Sequence, residues 1–312
     1  MKQYLIIPQM LACLFIAASL SAGAQENLTP DDFELPATTV KATKTYGTYL
    51  IAAQKLEMQS AIDTYHFNAG KIVKYKRTDK TYNRNIEEVY SYQNNQLKTK
   101  DIVRNTPSGV DYTTFKYHTE KKDNIVTNYK TAQSGSVEKT LDFFNDAGEL
   151  RGRTVYDARG NKTKTIEYDG KMGYRIRKFF NERLTSDVIY KNNTTGKLAS
   201  QIIYTMPGNE NELIVRKLTE YNDKGDAVKI SEYYPARDGV EQKVNKIQYT
   251  AYLYDGDIWV AKIEYTNNPQ PPAKFVLQVR TVQIGNKIYQ SKDNDALIAF
   301  AKQVYLQYQT IK

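Results

Sequence analysis

The sequence predicts an all-β protein: a long antiparallel β-meander forming a curved, partly open sheet, with one C-terminal α-helix packed on it. Three observations lead there. An aromatic-Asx-x-x-Gly string recurs along the chain, the aromatic residues that open its best copies stand twelve positions apart, and the tail switches to helical spacing. Composition agrees, with 26 Tyr against 10 Phe and one Trp in 312 residues and a mean hydropathy of −0.64. So little aliphatic material excludes a multi-span helical membrane protein and leaves no thick single core.

The chain opens as an exported protein does. Lys2 supplies a positive n-region, Leu11 to Leu20 is apolar, and Ala22-Gly23-Ala24 places small residues at a cleavage site, so residues 1–24 read as a signal peptide cut before Gln25. The apolar run is short for a membrane span, and Pro8 and Gln9 interrupt its start. Lipid attachment at Cys13 fits poorly, because the apolar run continues past it. Without the leader the net charge of +9 loses one lysine to become +8, and no cysteine remains. Disulfides, thiolate nucleophiles and cysteine-ligated metals are thereby excluded. The expected location is the periplasm, the outer-membrane surface or the medium.

Residues 25–45, with Pro30, Pro36 and little periodicity, read as a linker or extended arm. Residues 46–290 then form the repeat domain. Its full turn strings are Phe144 to Gly148, Tyr156 to Gly160 and Tyr221 to Gly225; shortened ones are Phe67 to Gly70, Tyr168 to Gly170 and Tyr254 to Gly256, and a lengthened one runs from Tyr190 to Gly196. Phe144, Tyr156, Tyr168 and Phe180 are spaced by twelve. An Asx side chain starts a turn and a Gly three places on takes the positive φ that closes it. Four turn residues leave eight for a strand of roughly 26 Å, rich in β-branched and aromatic residues as in Thr165-Ile166-Glu167-Tyr168. A twelve-residue period is too short for helical solenoid repeats. From Tyr174 to Phe180 one face carries Tyr174, Ile176, Lys178 and Phe180 and the other Arg175, Arg177 and Phe179, which suits a twisted sheet whose concave side is partly covered. Residues 291–312 hold the helix: after Asp293-Asn294-Asp295, the side chains of Leu297, Phe300, Val304 and Tyr308 fall on one stripe over about 294–310. Tyr49 to Ile62 reads equally as helix or strand.

The strings Tyr156-Asp157-Ala158-Arg159-Gly160 and Tyr221-Asn222-Asp223-Lys224-Gly225 resemble the YD repeats of Rhs-type proteins, and the chain as a whole is similar to short exported YD-like proteins common in Bacteroidetes. The likeness is good over 140–235, weak over 60–140 and 236–290, and absent from the tail. In large Rhs proteins such repeats build a shell around a toxin. The copies here are too few to enclose one, and the resemblance implies no catalytic residues.

Catalytic chemistry finds little footing. His66 and His118 are 52 positions apart, without a nucleophile-elbow or acid motif around either. Two distant histidines and no cysteine argue against zinc, and no turn carries a full calcium-loop spacing. Asp157, Asp169, Asp223 and Asp255 are accounted for by turns. No cofactor, metal or nucleic-acid partner is expected. The basic strands, with Lys162, Lys164, Arg175 and Arg177, are a solubility device first and a surface for anionic envelope partners second. Tyrosine is likewise a cross-strand packing residue first. The candidate binding residues are Trp259, Tyr252, Tyr254 and Tyr265, the densest aromatic group, with Arg175 and Arg177. Two functions compete: a noncatalytic exported scaffold or interaction protein, and a periplasmic carrier whose tail helix lids a concave face holding an apolar or glycan ligand. The partner in either case is an envelope protein, glycan or lipid. A transmembrane barrel is third, since charges break the apolar outer face it needs.

Overall fold

The structure, a computed structural model, describes residues 28–170, 172–204, 213–233, 244–267 and 272–311. The leader, with Cys13, lies outside them. Among the described residues, a short 3-10 turn at Pro30–Phe33 is followed by nineteen strands. They are β1 Thr39–Leu50, β2 Lys55–Asn68, β3 Lys71–Asp79, β4 Arg84–Gln93, β5 Gln96–Thr106, β6 Gly109–Lys122, β7 Ile125–Ala132, β8 Val137–Phe144, β9 Leu150–Tyr156 and β10 Lys162–Tyr168. The second half holds β11 Gly173–Phe180, β12 Arg183–Asn192, β13 Leu198–Tyr204, β14 Leu213–Tyr221, β15 Ala227–Tyr233, β16 Val244–Asp255, β17 Ile258–Thr266, β18 Lys274–Ile284 and β19 Lys287–Tyr289, followed by helix α1, Asn294–Thr310.

The meander is present, but the partly open sheet is not. Each strand pairs antiparallel with the next, and β18 pairs along eleven positions with β1, so eighteen strands close into a barrel and β19 is a short flap on β18. Closure is the way a long sheet removes both exposed edges. It joins Thr39 to Ile284, a contact that no turn chemistry encodes. Residues 39–45, expected in the arm, begin β1, and 49–62 is strand, turn and strand. The helix falls where its spacing puts it, with Asp293 capping Ala296 N at 2.8 Å.

Local chemistry builds the hairpins. In the turns at Asn145, Asp157, Asn193 and Asn222 the side-chain oxygen accepts from the backbone N–H four residues on at 2.8–2.9 Å. Gly148, Gly160, Gly196 and Gly225 take φ of 77 to 83°. The lengthened Tyr190 to Gly196 string is thus an ordinary copy whose turn starts at Asn193. Strands of seven or eight residues between these turns match the twelve-residue period.

Tracing the register once round the wall returns to β1 displaced by about 20 residues, which for eighteen strands gives a barrel roughly 34 Å across between Cα atoms. Right-handed strand tilt and the closing pairs Gln93↔Gln96 and Lys122↔Ile125 of two-residue turns fix which face is concave. The exposed Val89, Val110, Tyr112, Ile125 and Val137 fall on the outer face accordingly.

Both faces carry charge. Outside stand Lys74, Glu87, Asp101, Lys116, Lys139, Glu167, Arg175, Arg177, Asp187 and Lys229. Inside, the register sets acid opposite base at Asp63↔Arg77, Arg104↔Asp111, Lys130↔Glu138, Asp142↔Arg153 and Lys217↔Glu232. A buried apolar stripe also lies outside, of Tyr49, Ala261, Ile263, Phe275 and Leu277, on which α1 lays Leu297, Phe300, Ala301, Val304 and Tyr308. The helix therefore covers the outer wall and is not a lid over the concave face.

Candidate functional site

The joint between β17 and β18 is held by three register pairs, at Ala261, Lys262 and Ile263. Among the described residues it is the shortest joint in the wall. The two elements outside the wall both cover it, α1 from outside and the N-terminal segment from the lumen. Leu35 packs with Ala42, Phe67, Ile72, Tyr90 and Leu97, while Phe33 meets Tyr65 at 4.6 Å and Phe67 at 5.9 Å between ring centroids.

Glu34 spans the joint. Its carboxylate accepts from Lys262 Nζ on β17 at 3.0 Å, and its carbonyl accepts from Arg280 Nη1 on β18. Arg280 also donates to the Trp259 carbonyl at 2.7 Å and lies 3.2 Å over the Trp259 ring. Lys44 stands directly opposite Arg280 in the register, so two cations face each other, and the Glu34 charge acts on Lys44. Burial lowers the Lys44 ammonium, against which Glu34 acts, and pushes the Arg280 guanidinium down to about 10, still a cation at neutral pH. Glu34 itself sits in the left-handed region, with φ 58°.

Of the predicted binding residues, Trp259, Tyr252 and Tyr254 come together here. The Tyr252 ring lies 5.9 Å from Trp259 and 6.0 Å from Tyr254, and Tyr254 donates to Asp226 at 2.6 Å while accepting from Asn222 at 2.8 Å. Burial raises the Tyr252 and Tyr254 phenols, Tyr254 to about 12. Tyr265 is not among them. A bulge at the Tyr254↔Trp259 pair turns it to the outer face, where it packs on Phe275 and Tyr308. Arg175 and Arg177 lie six strands away, about 29 Å along the wall, on the outside. They converge on the buried Asp187, Arg175 at 2.5 Å and Arg177 at 3.6 Å, and Arg177 also reaches Glu167 at 2.6 Å. Their charges are spent on the wall itself. Residues 34, 44, 262 and 280, which the sequence reading missed, carry the ionic part of the lumen site, and their meeting depends on closure.

The histidines face outward, apart. His66 sits between Lys41 and Lys74, and burial and those lysines lower its pKa; His118 stacks on Tyr129 beside Glu120. Among the described residues no cluster of His, Cys, Asp and Glu is arranged to hold a metal, and no helix is long and apolar enough to cross a membrane. A cleft of about 290 Å³ beside α1 is lined by Ala251, Leu253, Phe300, Gln303, Val304 and Gln307 together with Tyr252 and Tyr254.

No family model and no curated protein matches the chain. Solved structures similar to it include a porin-like protein from Bacteroides uniformis, at 11% identity, covering 80% of this chain and 99% of that one with a TM-score of 0.36. Another is a TcdB2-TccC3 structure at 12% identity, covering 73% of this chain and 15% of that one with a TM-score of 0.23. At these scores neither likeness bears on what the barrel does.

Proposed function

We propose that the chain is a noncatalytic, exported, YD-repeat-like interaction protein that works as a water-surrounded barrel in the periplasm or at the cell surface. The observation that carries this reading is the distribution of charge. A lipid-embedded barrel needs an apolar outward band on every strand, and ions at the midplane cost about 2–4 kcal/mol each. Here Lys74, Glu87, Asp101, Glu167, Arg175 and Lys229 stand outward along the strands, among exposed apolar residues such as Val110 and Ile125, and the stripe centred on Ile263 and Leu277 is already covered by α1. Among the described residues the lumen's acids are joined to its bases, as at Asp142 with Arg153 and Glu232 with Lys217, which supports binding over turnover.

A second reading, a ligand holder, survives in its glycan form. The lumen is lined by paired charges and tyrosines, which suits a hydroxylated ligand; an apolar one would need the dry cavity that this wall does not offer. The mature chain, fractionated without detergent and used as bait on envelope extract, tests the proposal. It should remain in the aqueous phase and retain a defined partner, and saturable turnover of a sugar or peptide substrate would overturn it.

A further inference from the structure

We propose that the lumen face of β10–β12 binds an acidic oligosaccharide, with Lys164 and Lys178 holding its anionic group and Tyr168, Tyr174 and Tyr190 its ring. The proposal rests on the interaction-protein reading above and names the ligand for it. The lumen register sets acid against base at five places already described. At β10–β11 it sets Lys164 directly opposite Lys178. Like charges facing across a ladder destabilise a sheet, and among the described residues neither ammonium has an acidic partner. Two strands away on this face, Asp142 is engaged by Arg153 through two hydrogen bonds, at 2.5 and 3.0 Å, and Glu138 by Lys130.

The same chain shows how such a pair is satisfied. Lys44 and Arg280 also face each other across a lumen ladder, beside Trp259, and there a separate segment brings in Glu34, whose carbonyl accepts from Arg280 and whose carboxylate accepts from the neighbouring Lys262 and offsets the Lys44 charge. Among the described residues the Lys164 and Lys178 pair has no such carboxylate, and its aromatic group stands farther along the strands. Four residues along the same face, about 13 Å away, Tyr168 faces Tyr174, and Tyr174 stacks on Tyr190 at 4.6 Å. Ile166 and Ile176 pave the interval. Cations at one end, apolar surface between and ring faces with hydroxyls at the other fit a chain of two or three sugars, whose C–H faces pack on aromatics and whose acid group takes charge-assisted hydrogen bonds.

The test is calorimetric titration of the intact mature protein with an oligogalacturonate, a sulfated oligosaccharide, maltohexaose and oligoglutamate, with product analysis of each mixture. Saturable binding of one or both acidic oligosaccharides is expected, the pair telling carboxylate from sulfate, with maltohexaose and oligoglutamate at least tenfold weaker. Lys164→Glu should weaken that binding at least tenfold without lowering Tm, because it gives Lys178 an acidic partner, and Tyr174→Ala should weaken it several-fold. No saturable acidic-sugar binding, equal binding of maltohexaose or oligoglutamate, or binding unchanged by Lys164→Glu would each overturn the site. Cleavage of the bound sugar would overturn the noncatalytic reading and leave the site standing; absent binding without cleavage does the reverse.

Discussion

Replacing Glu34 by alanine removes one carboxylate from the joint between β17 and β18. Lys262 keeps 9% of its side chain exposed and loses its 3.0 Å partner, retaining Glu264 at 3.5 Å. Stranding a fully buried ammonium costs about 3–5 kcal/mol. The remaining Glu264 contact and the exposure of Glu34, 58% at the side chain, reduce that to about 2 kcal/mol. Spread over an unfolding entropy of about 2 cal/mol/K per residue, this lowers Tm by about 3 °C. Differential scanning calorimetry of the mature chain reads the shift. Repeating the substitution in a Lys262→Met background isolates the pair, since the second loss should then nearly vanish. Strict additivity of the two changes, or a Tm loss below 1 °C for Glu34→Ala alone, would refute the idea that Glu34 clamps the joint.

Val304, 1% exposed against the outer stripe, should cost about 2 kcal/mol as Val304→Ala and admit protease at α1 before the wall, seen by limited proteolysis. Gly160, at φ 83° with open space around it, should lose about 1 kcal/mol as Gly160→Ala through backbone strain alone, measured by urea unfolding with an unchanged m-value. Tyr254 keeps its proton up to about pH 12 when folded, whereas the unfolded chain releases it near 10. Its contribution is therefore complete below pH 10 and is lost between 10 and 12, so Tyr254→Phe should flatten the alkaline loss of stability in that window.

Residue chemistry that acts within a few positions was legible in the sequence. The Asn145, Asp157 and Asn222 turns and the Asp293 cap are each settled by a side chain reaching its own backbone. What joins distant segments was not. The pairing of β1 with β18 brings together residues more than 200 positions apart, and only the need to remove sheet edges calls for it. The aromatic group was half legible. Simple alternation puts Trp259 and Tyr265 on one face, whereas the bulge between them divides the pair, sending Trp259 to the lumen beside Arg280 and Tyr265 under the helix. Bulges answer to the cross-strand partner, so a single strand read alone does not reveal them. Arg175 and Arg177 looked available because their common partner, Asp187, lies on the next strand.

Closure of the wall is the claim on which the lumen, its paired charges and the proposed sugar site depend. Thr43 on β1 and Thr281 on β18 face each other in the register on the outer wall, and residues 25–312 contain no cysteine to interfere. Thr43→Cys with Thr281→Cys should cross-link under mild oxidation within the monomer, shifting its mobility on a non-reducing gel as efficiently as a hairpin control at Thr165 and Arg177. An open sheet would leave the two strands at opposite edges, and failure of the closing pair to link while the hairpin pair does would contradict the barrel.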